Sequence, residues 1–277
     1  GVKTGITTNG TYRDEEMGIK LEKVTASQVN ISLQTPDEES FKTRKSRRMK
    51  FEEYHNRILE FIGTCLKQAK PPKIKVHFLN TSIKSEVPGE DWDVGTMSVI
   101  NNAKELRKTF SYWAKEVHKI CPPMSDEEKA KVEKKIDKLS TFKWNVVEVA
   151  PNIFFETYIL NTWGNAFAEG GNVVPAKTGY CSALSDHFAI LCSGDLIYCC
   201  VDFDGKTVAG NVFQNSITEI LNTQPVIDAV EGFQNHKVIH PHCQKCLGGS
   251  TWLKSKLNSI GSIVIWKYLK NFFYKKT

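Results

Sequence analysis

The sequence lacks any apolar run long enough to cross a membrane. A membrane-spanning helix takes about 20 consecutive apolar residues, and no stretch of the 277 residues approaches that length. The N-terminus also lacks the basic segment followed by an apolar segment that marks a signal peptide. We therefore expect a cytoplasmic protein that is not secreted.

The sequence also lacks an initiating methionine. It begins at Gly1 and enters at once the run GITTNG, which is typical of a buried strand that ends in a turn. A strand at the very start of a chain indicates that other elements precede it. We therefore expect this chain to be a fragment with its N-terminal part missing.

Most of the chain carries no excess of positive charge. The net charge is +6, and the last 27 residues alone contain six lysines and no acidic residue. Nucleic-acid-binding proteins usually carry a basic stripe with interleaved aromatic residues across the body of the domain. We therefore expect no nucleic-acid partner.

Cysteine is scarce at the start of the sequence and dense near its end. The composition is that of an average globular protein, with 40% hydrophobic and 25% charged residues, yet six of the eight cysteines lie between Cys181 and Cys246. Disulfide frameworks are favoured in short secreted chains, whereas clustered cysteines in a reducing compartment are more often metal or cluster ligands. The cysteine pattern therefore predicts an inorganic centre.

The first half alternates β-rich runs with helical patterns. Apolar residues at helical spacing predict a helix over 51–66, a second helix is expected over 101–120, and Ser125 with Glu128 forms a capping box that opens a third. Strands that alternate with helices favour right-handed crossovers onto a parallel sheet. The predicted strands cover residues 4–8, 29–33, 74–79 and 144–149.

The second half has a different composition. Residues 161–179 are rich in glycine and asparagine, and short strands are expected at 188–192, 196–201 and 207–212. Ser216 and Glu219 form a second capping box. This segment has few apolar residues for its length, and such modules usually need a staple.

The cysteine spacing predicts one shared centre. Cys181 is followed by twelve residues, Gly194, four residues and Cys199, and a C-x-x-C pair follows at Cys243 and Cys246. Gly194 allows a tight hairpin turn, so two ligands on a hairpin and two on the C-x-x-C turn can converge. Four thiolates suit either tetrahedral zinc or an iron-sulfur cluster, and the spacing leaves both open.

Other cysteines and histidines nearby are not needed as ligands. Neighbours in a strand face opposite ways, so Cys199 and Cys200 are not both expected to point inward. Cys192 and Cys200 are predicted to be small buried hydrophobic side chains. The histidines 236, 240 and 242 are predicted to lie in a loop, with a mixed His/Cys zinc centre as the alternative.

The motifs carry a family resemblance. The run C-x12-G-x4-C, followed by DFDGKTVAGNVFQNSITEI and CQKC, resembles the SPASM domain that follows the barrel in many radical S-adenosylmethionine enzymes. Upstream, ITTNGT, VNISLQTPDEESFKTR and IKVHFLN are similar to the third, fourth and fifth strand regions of the radical S-adenosylmethionine barrel. The resemblance implies an α/β fold: a partial TIM-like barrel over 1–160 without its first strands, a SPASM domain over 161–250 and a basic amphipathic helix over 251–277.

The resemblance also implies site residues. It places the ligands of one auxiliary 4Fe-4S cluster at Cys181, Cys199, Cys243 and Cys246, and contacts to S-adenosylmethionine at Ser32 and Arg44. A strand serine with local hydrogen bonds is the alternative for Ser32, and a solvated surface charge is the alternative for Arg44. With all four irons held by cysteine, we expect this cluster to transfer electrons or to stabilise the domain.

The largest departure from the family is the absence of its C-x-x-x-C-x-x-C loop. Cys65 and Cys121 are isolated, so we interpret the chain as truncated and expect it to be inactive alone. The intact enzyme would use a second 4Fe-4S cluster, with an electron donor such as a flavodoxin or ferredoxin. It would cleave S-adenosylmethionine to a 5'-deoxyadenosyl radical that takes a hydrogen from a peptide or a cell-envelope carbohydrate. The rival hypothesis is a non-catalytic binding module stapled by zinc on the same four cysteines.

The tail interleaves aromatic and aliphatic residues with lysines. A helix of this kind can lie in an anionic membrane interface, which would make the protein membrane-peripheral. The alternative is a C-terminal helix docked on the barrel with its lysines facing water.

Overall fold

The computed structural model describes residues 2–11, 26–44, 49–82, 98–159 and 173–269. These residues form two compact units, with those up to 159 in the first unit and those from 173 onward in the second. No helix within these ranges has both the length and the apolar character that a membrane crossing requires.

The first unit contains a five-stranded, mostly parallel sheet. Its spatial order is β1-β2-β3-β5-β4, and β1, β2, β3 and β5 pair in parallel. The predicted α/β class is therefore confirmed, with four parallel strands where a complete β/α barrel has eight. The strands are β1 (Gly5–Thr8), β2 (Gln28–Gln34), β3 (Lys73–Asn80), β4 (Val146–Ala150) and β5 (Ile153–Ile159).

One part of the strand prediction differs from the structure. The predicted strand over 144–149 exists as β4, but it pairs antiparallel with β5 at the edge of the sheet. The sequence analysis did not predict β5. Between the two strands lie only Pro151 and Asn152, and Asn152 has a φ of 66°, a conformation that asparagine tolerates better than most residues. This tight turn produces a hairpin instead of a crossover.

Three of the four described helices of the first unit begin at side-chain caps, and the helix at Phe51 has none. Asp37 forms a capping box with Ser40, Asn102 accepts a hydrogen bond from the Glu105 amide, and the predicted capping box of Ser125 and Glu128 is confirmed. These caps satisfy backbone N–H groups that a helix start leaves without partners. The helices are α1 (Glu38–Lys42), α2 (Phe51–Leu66), α3 (Ala103–His118) and α4 (Asp126–Ile136).

The two faces of this sheet differ in chemistry. Along β2, Val29, Ile31 and Leu33 are buried at 0–1% exposure, and the residues between them are polar and half-buried. The apolar face packs against the helices in one large core that includes Phe78, Phe110, Trp113 and Phe155. The alternation leaves the opposite face with polar side chains, since successive residues of a strand point to opposite sides.

The second unit is built from short elements. A three-stranded antiparallel sheet has the order β6-β7-β8, and the predicted capping box of Ser216 and Glu219 opens α5. The elements are β6 (Ala189–Ile190), β7 (Asp195–Ile197), β8 (Val208–Asn211), α5 (Ile217–Leu221), α6 (Gln224–Gln234), α7 (Pro241–Cys246), α8 (Trp252–Ser262) and a π-helical turn (Ile263–Tyr268).

Candidate functional site

Cys181 and Cys199 flank the small sheet of the second unit. Cys181 precedes β6, and the backbone N–H groups of Ser182 and Ala183 donate hydrogen bonds to its sulfur. Cys199 follows β7, and its sulfur accepts hydrogen bonds from the N–H groups of Val201 and Asp202. Backbone donors at a cysteine sulfur favour the thiolate and are among the features that tune iron-sulfur clusters.

Cys243 and Cys246 lie on the short helix α7. Residues three apart on a helix share one face, so both sulfurs emerge on the same side. His240 begins this helix, and its Nδ1 accepts a hydrogen bond from the His242 amide at 3.2 Å. The sequence analysis predicted a turn here, and the structure shows a short helix.

The four predicted ligand sulfurs lie within electrostatic reach of one another. Every pair among Cys181, Cys199, Cys243 and Cys246 interacts electrostatically, so a negative charge on one sulfur disfavours a charge on the others. All four residues are half-buried, and none of the eight cysteines of the chain forms a disulfide. The four thiols thus belong to three separate segments, interact electrostatically and are not joined covalently.

Burial raises the pKa of each of the four thiols. Burial is the largest cause for all four, followed for Cys243 and Cys246 by repulsion from the other sulfurs, and the pKa of Cys246 rises to about 12. A coordinated thiol is deprotonated by its metal, which reverses this effect. In the described part of the chain, no group of three or more His, Cys, Asp or Glu side chains is arranged to hold a single metal ion.

The loop after Cys199 is held by a buried carboxylate. Asp202 is 0% exposed, and it accepts hydrogen bonds from the Lys206 amide at 2.9 Å and from the Thr207 amide and hydroxyl at 2.6 Å each. The Thr207 hydroxyl in turn accepts a bond from the Tyr198 amide at 3.0 Å. This chain of bonds fixes the backbone on both sides of Cys199 and so positions its sulfur.

The hairpin between the first two cysteines needs its glycine. Gly194 has a φ of +85°, and a Cβ at this position would stand 2.5 Å from the ring of Phe213 and 2.9 Å from Oδ1 of Asn211. A residue with a side chain would be strained both by its backbone and by these neighbours. The predicted turn at Gly194 is confirmed.

The prediction for the two additional cysteines is wrong. Cys192 and Cys200 are exposed instead of buried, because Cys192 lies in the turn between β6 and β7 and Cys200 lies in the turn after Cys199. The histidines lie outside the sulfur group: the ring of His240 packs edge-on against Tyr198 with centroids 5.3 Å apart, and Nε2 of His236 lies 3.0 Å from Nζ of Lys267.

The polar face of the first unit's sheet carries a buried group of charged residues. Lys75 Nζ lies 2.7 Å from Oε1 of Glu156, and His77 Nε2 lies 3.7 Å from the other carboxylate oxygen. Glu156 is only 2% exposed, and burial lowers the pKa of His77. The sequence analysis did not nominate these residues, although the alternation of Lys73, Lys75 and His77 with apolar residues in KIKVHFLN signals a polar strand face.

Ser32 lies on the same polar face. The hydrogen bonds of Arg44 go to other residues. Ser32 is half-buried between Ile31 and Leu33, which point to the core. The Arg44 guanidinium donates to the Thr35 hydroxyl at 2.5 Å, to the Leu33 carbonyl at 2.7 Å and to the Tyr54 hydroxyl at 3.0 Å. Arg44 thus fixes the carboxyl end of β2. The part of both residues in cofactor binding stays a prediction.

A cavity of about 720 Å³ opens near the same end of the strands. It lies between the segment 36–40, which follows β2, and residues 98–112, which include the start of α3. Neither Ser32 nor Arg44 lines it. The cavity therefore adds no support to their predicted roles.

Comparison with known proteins identifies the second unit. The SPASM family, described as an iron-sulfur cluster-binding domain, matches residues 181–247, which include all four predicted ligands. The predicted SPASM domain is therefore confirmed. No curated protein sequence matches the chain.

Solved structures similar to the chain include two proteins described with bound S-adenosylmethionine. Streptococcus suis SuiB bound to S-adenosylmethionine is 12% identical with a TM-score of 0.43, and the match covers 84% of this chain and 51% of that chain. Histidine-tagged anSMEcpe with bound AdoMet is 13% identical with a TM-score of 0.39, and the match covers 99% of this chain and 72% of that chain. The chain thus spans about half the length of SuiB. The family match over residues 181–247 is what bears out the predicted resemblance.

Proposed function

We propose that the second unit binds one auxiliary 4Fe-4S cluster through Cys181, Cys199, Cys243 and Cys246, and that the chain is the C-terminal part of a radical S-adenosylmethionine enzyme. The observation that carries the proposal is the gathering of these four thiols inside a SPASM match. Four crowded, half-buried thiols repel one another once charged, and they are stabilised as thiolates only by a bound cation or cluster.

The residues present suit such a cluster. They supply four sulfur ligands, which is the usual number for a 4Fe-4S cluster, and backbone N–H groups already point at the sulfurs of Cys181 and Cys199. The buried Asp202 holds the loop that carries two of these N–H groups. The cluster would transfer electrons or stabilise the domain, since cysteine would occupy all four irons and leave none for a substrate.

The first unit would contribute one wall of the substrate and cofactor site. When bound beside a second 4Fe-4S cluster, S-adenosylmethionine supplies a 5'-deoxyadenosyl radical that takes a hydrogen atom from the substrate. In this chain, Arg44 holds the end of β2 through Thr35 and the Leu33 carbonyl, and it thereby positions the polar face on which Ser32 lies. The pair of Lys75 and Glu156 gives that face a buried charge pair that can orient a polar ligand.

The catalytic cluster itself needs a C-x-x-x-C-x-x-C loop, which does not occur among the 277 residues. We therefore assign the radical chemistry to a longer protein that contains the loop. Its substrate is proposed to be a peptide or a cell-envelope carbohydrate, and its electron donor a flavodoxin or ferredoxin. The cytoplasm, where thiols stay reduced, suits both the cysteines and such a donor.

Anaerobic reconstitution of the chain with iron and sulfide tests the proposal. We expect about four irons and four sulfides per chain, together with the broad visible absorption of thiolate-to-iron charge transfer. Changing Cys243→Ser and Cys246→Ser together should abolish both signals. The matched control, Cys192→Ser, removes an exposed cysteine of the same unit and should retain full iron content.

Two results would overturn the proposal. One is a chain that takes up one zinc ion per molecule on the same cysteines and no stable iron and sulfide, which would favour the zinc-stapled binding module. The other is a double variant that reconstitutes as well as the unaltered chain. The first result keeps the site and replaces its metal, and the second removes the site.

A further inference from the structure

The C-terminal helix α8 and the π-helical turn after it are oriented with their polar side inward. The three serines on one side of the helix, Ser255, Ser259 and Ser262, are 2–8% exposed. The large apolar residues lie on the outer side, where Trp252, Leu253, Leu257 and Ile260 are 57–66% exposed. This arrangement is the reverse of the usual surface helix, whose apolar stripe faces the core.

Hydrogen bonds on the inner side fix this orientation. Ser262 Oγ accepts a bond from the Tyr180 amide at 3.0 Å and donates to the Ser259 carbonyl at 2.7 Å. Asn258 donates to the Gly248 carbonyl at 2.7 Å. A rotation that buried the leucines would break the bonds to Tyr180 and Gly248 and leave polar groups without partners, at a cost for each.

Close packing also prevents the helix from turning over. A Cβ at Gly249 would stand 2.5 Å from the backbone nitrogen of Ser255, and a Cβ at Gly179 would stand 3.2 Å from Oγ of Ser262. Only small side chains fit along this contact, so the serines are the residues that belong there. The larger apolar residues of α8 therefore lie on its outer side.

The outer face continues beyond α8. Val264, Ile265, Trp266, Tyr268 and Leu269 are 40–65% exposed, so exposed apolar residues continue from α8 through the π-helical turn. Scattered exposed apolar residues are normal, but a contiguous patch of this size marks an interaction surface. We call the exposed apolar residues of 252–269 the outer face.

The charge of the segment selects the partner. The last 27 residues hold six lysines and no acidic residue, and they account for the whole net charge of the chain. Trp252, Trp266 and Tyr268 are of the type that concentrates at the boundary between lipid and water. An apolar face with aromatic residues, flanked by lysines only, complements the apolar depth and the negative surface of an anionic bilayer.

We propose that the outer face binds the surface of an anionic phospholipid membrane, with α8 lying in the plane of the interface and the second unit held against the bilayer. The proposal specifies the membrane contact expected from the sequence by naming the face and its orientation. It does not depend on what the four cysteines bind. It gives the protein a location beside envelope lipids or lipid-linked substrates.

Vesicle co-sedimentation of the 277-residue chain tests the proposal. We expect binding to vesicles of mixed phosphatidylcholine and phosphatidylglycerol, much weaker binding to phosphatidylcholine alone, and weaker binding as salt rises. The double change Leu253→Ser and Leu257→Ser should reduce the partition coefficient on mixed vesicles by about a hundredfold, since each buried leucine contributes about tenfold. Changing Lys256→Gln should cost about fivefold on the mixed vesicles only.

A matched control is Phe142→Ser, which removes an apolar side chain that is 82% exposed in the first unit. It should leave vesicle binding unchanged. Far-UV circular dichroism of each variant shows that the fold is intact whatever the cysteines bind. Iron content, measured separately, keeps a failure here distinct from a failure of the cluster proposal. If the outer face were instead a contact between two copies of the chain, the protein would form a dimer without lipid, and the leucine changes would dissociate it. That result would overturn the proposal. The absence of any preference for anionic vesicles would overturn it too.

Discussion

The two units of this chain are stabilised in different ways. The first unit has a large apolar core between one face of a five-stranded sheet and its helices. The second has strands of two to four residues and a small cluster formed by Tyr198, Val226 and Ala229, against which Cys243 packs. Burial of apolar area can hold the first unit, whereas a module with so little core depends on a staple. The proposed cysteine centre would therefore stabilise the second unit and not the first.

The largest expected effect is removal of the inorganic centre. Chelation of iron from the reconstituted chain should abolish hydrogen-exchange protection across β7, β8 and α7, because a site of this kind contributes on the order of 10 kcal/mol to folding. Protection in β2 and β3 should be unchanged. Exchange resolved by residue, before and after chelation, measures both units in one sample. Equal loss in the two units would contradict the division drawn here.

A substitution in the apolar core should destabilise the first unit and leave the second unit unchanged. Phe78 is 0% exposed, and its ring lies 4.7 Å from Phe110 and 5.0 Å from Phe155 between centroids. Phe78→Ala should lower the free energy of unfolding of the first unit by about 3–5 kcal/mol, with the iron content of the second unit retained. Denaturant titration followed by tryptophan fluorescence and by cluster absorbance measures the two together.

The control for this change is Phe142→Ala, at a side chain that is 82% exposed in the same unit. It should alter stability by no more than about 0.5 kcal/mol. A Phe78 variant that loses iron as readily as it loses stability would show that the two units unfold together.

Within the second unit, loss of the buried Asp202 carboxylate should reduce stability more than loss of the exposed Asp204 carboxylate. Asp202 is buried and accepts three hydrogen bonds, so Asp202→Ala should cost about 2–4 kcal/mol and accelerate loss of iron. Asp204 is exposed and pairs with Lys206 at 2.8 Å, and Asp204→Ala should change little. The rate of iron transfer to a chelator compares the two variants, and equal rates would rule out a role for Asp202 in holding Cys199.

The smallest expected loss of stability comes from the capping boxes, which occur in both units. Ser125 and Ser216 each form a capping box with a glutamate three residues on. Either serine changed to alanine should cost about 1 kcal/mol, in the first unit for Ser125→Ala and in the second for Ser216→Ala. Unit-specific hydrogen exchange checks the assignment. If Ser125→Ala weakened protection in the second unit, the units would not be energetically separate.

Much of the first unit follows from local patterns. The predicted helix over 51–66 is α2, the predicted capping box at Ser125 is present, and the predicted strands lie within about two residues of those observed. The missed strand β5 had a signal in the sequence, since Pro151 and Asn152 separate two β-rich runs. The direction of β4 could not follow without β5, because an antiparallel edge strand is defined by its partner.

The second unit was less accessible to sequence reasoning. The spacing of Cys181, Cys199, Cys243 and Cys246 predicts their convergence; in the structure their sulfurs interact electrostatically, and their joint ligation stays a prediction. The exposure of Cys192 and Cys200 depends on turns too short for strand alternation to describe. The inward face of α8 is set by contacts of Ser255 and Ser262 with other segments. A helix that carries serines on one side and leucines on another does not reveal this orientation by itself.

X-ray absorption at the iron and zinc edges of the chain, purified without oxygen, tests the central claim most directly. The account predicts iron with sulfur neighbours and further iron neighbours beyond them, and loss of this signal when Cys243 and Cys246 are changed to serine. Zinc surrounded by four sulfurs at about 2.3 Å, with no iron bound, would contradict it.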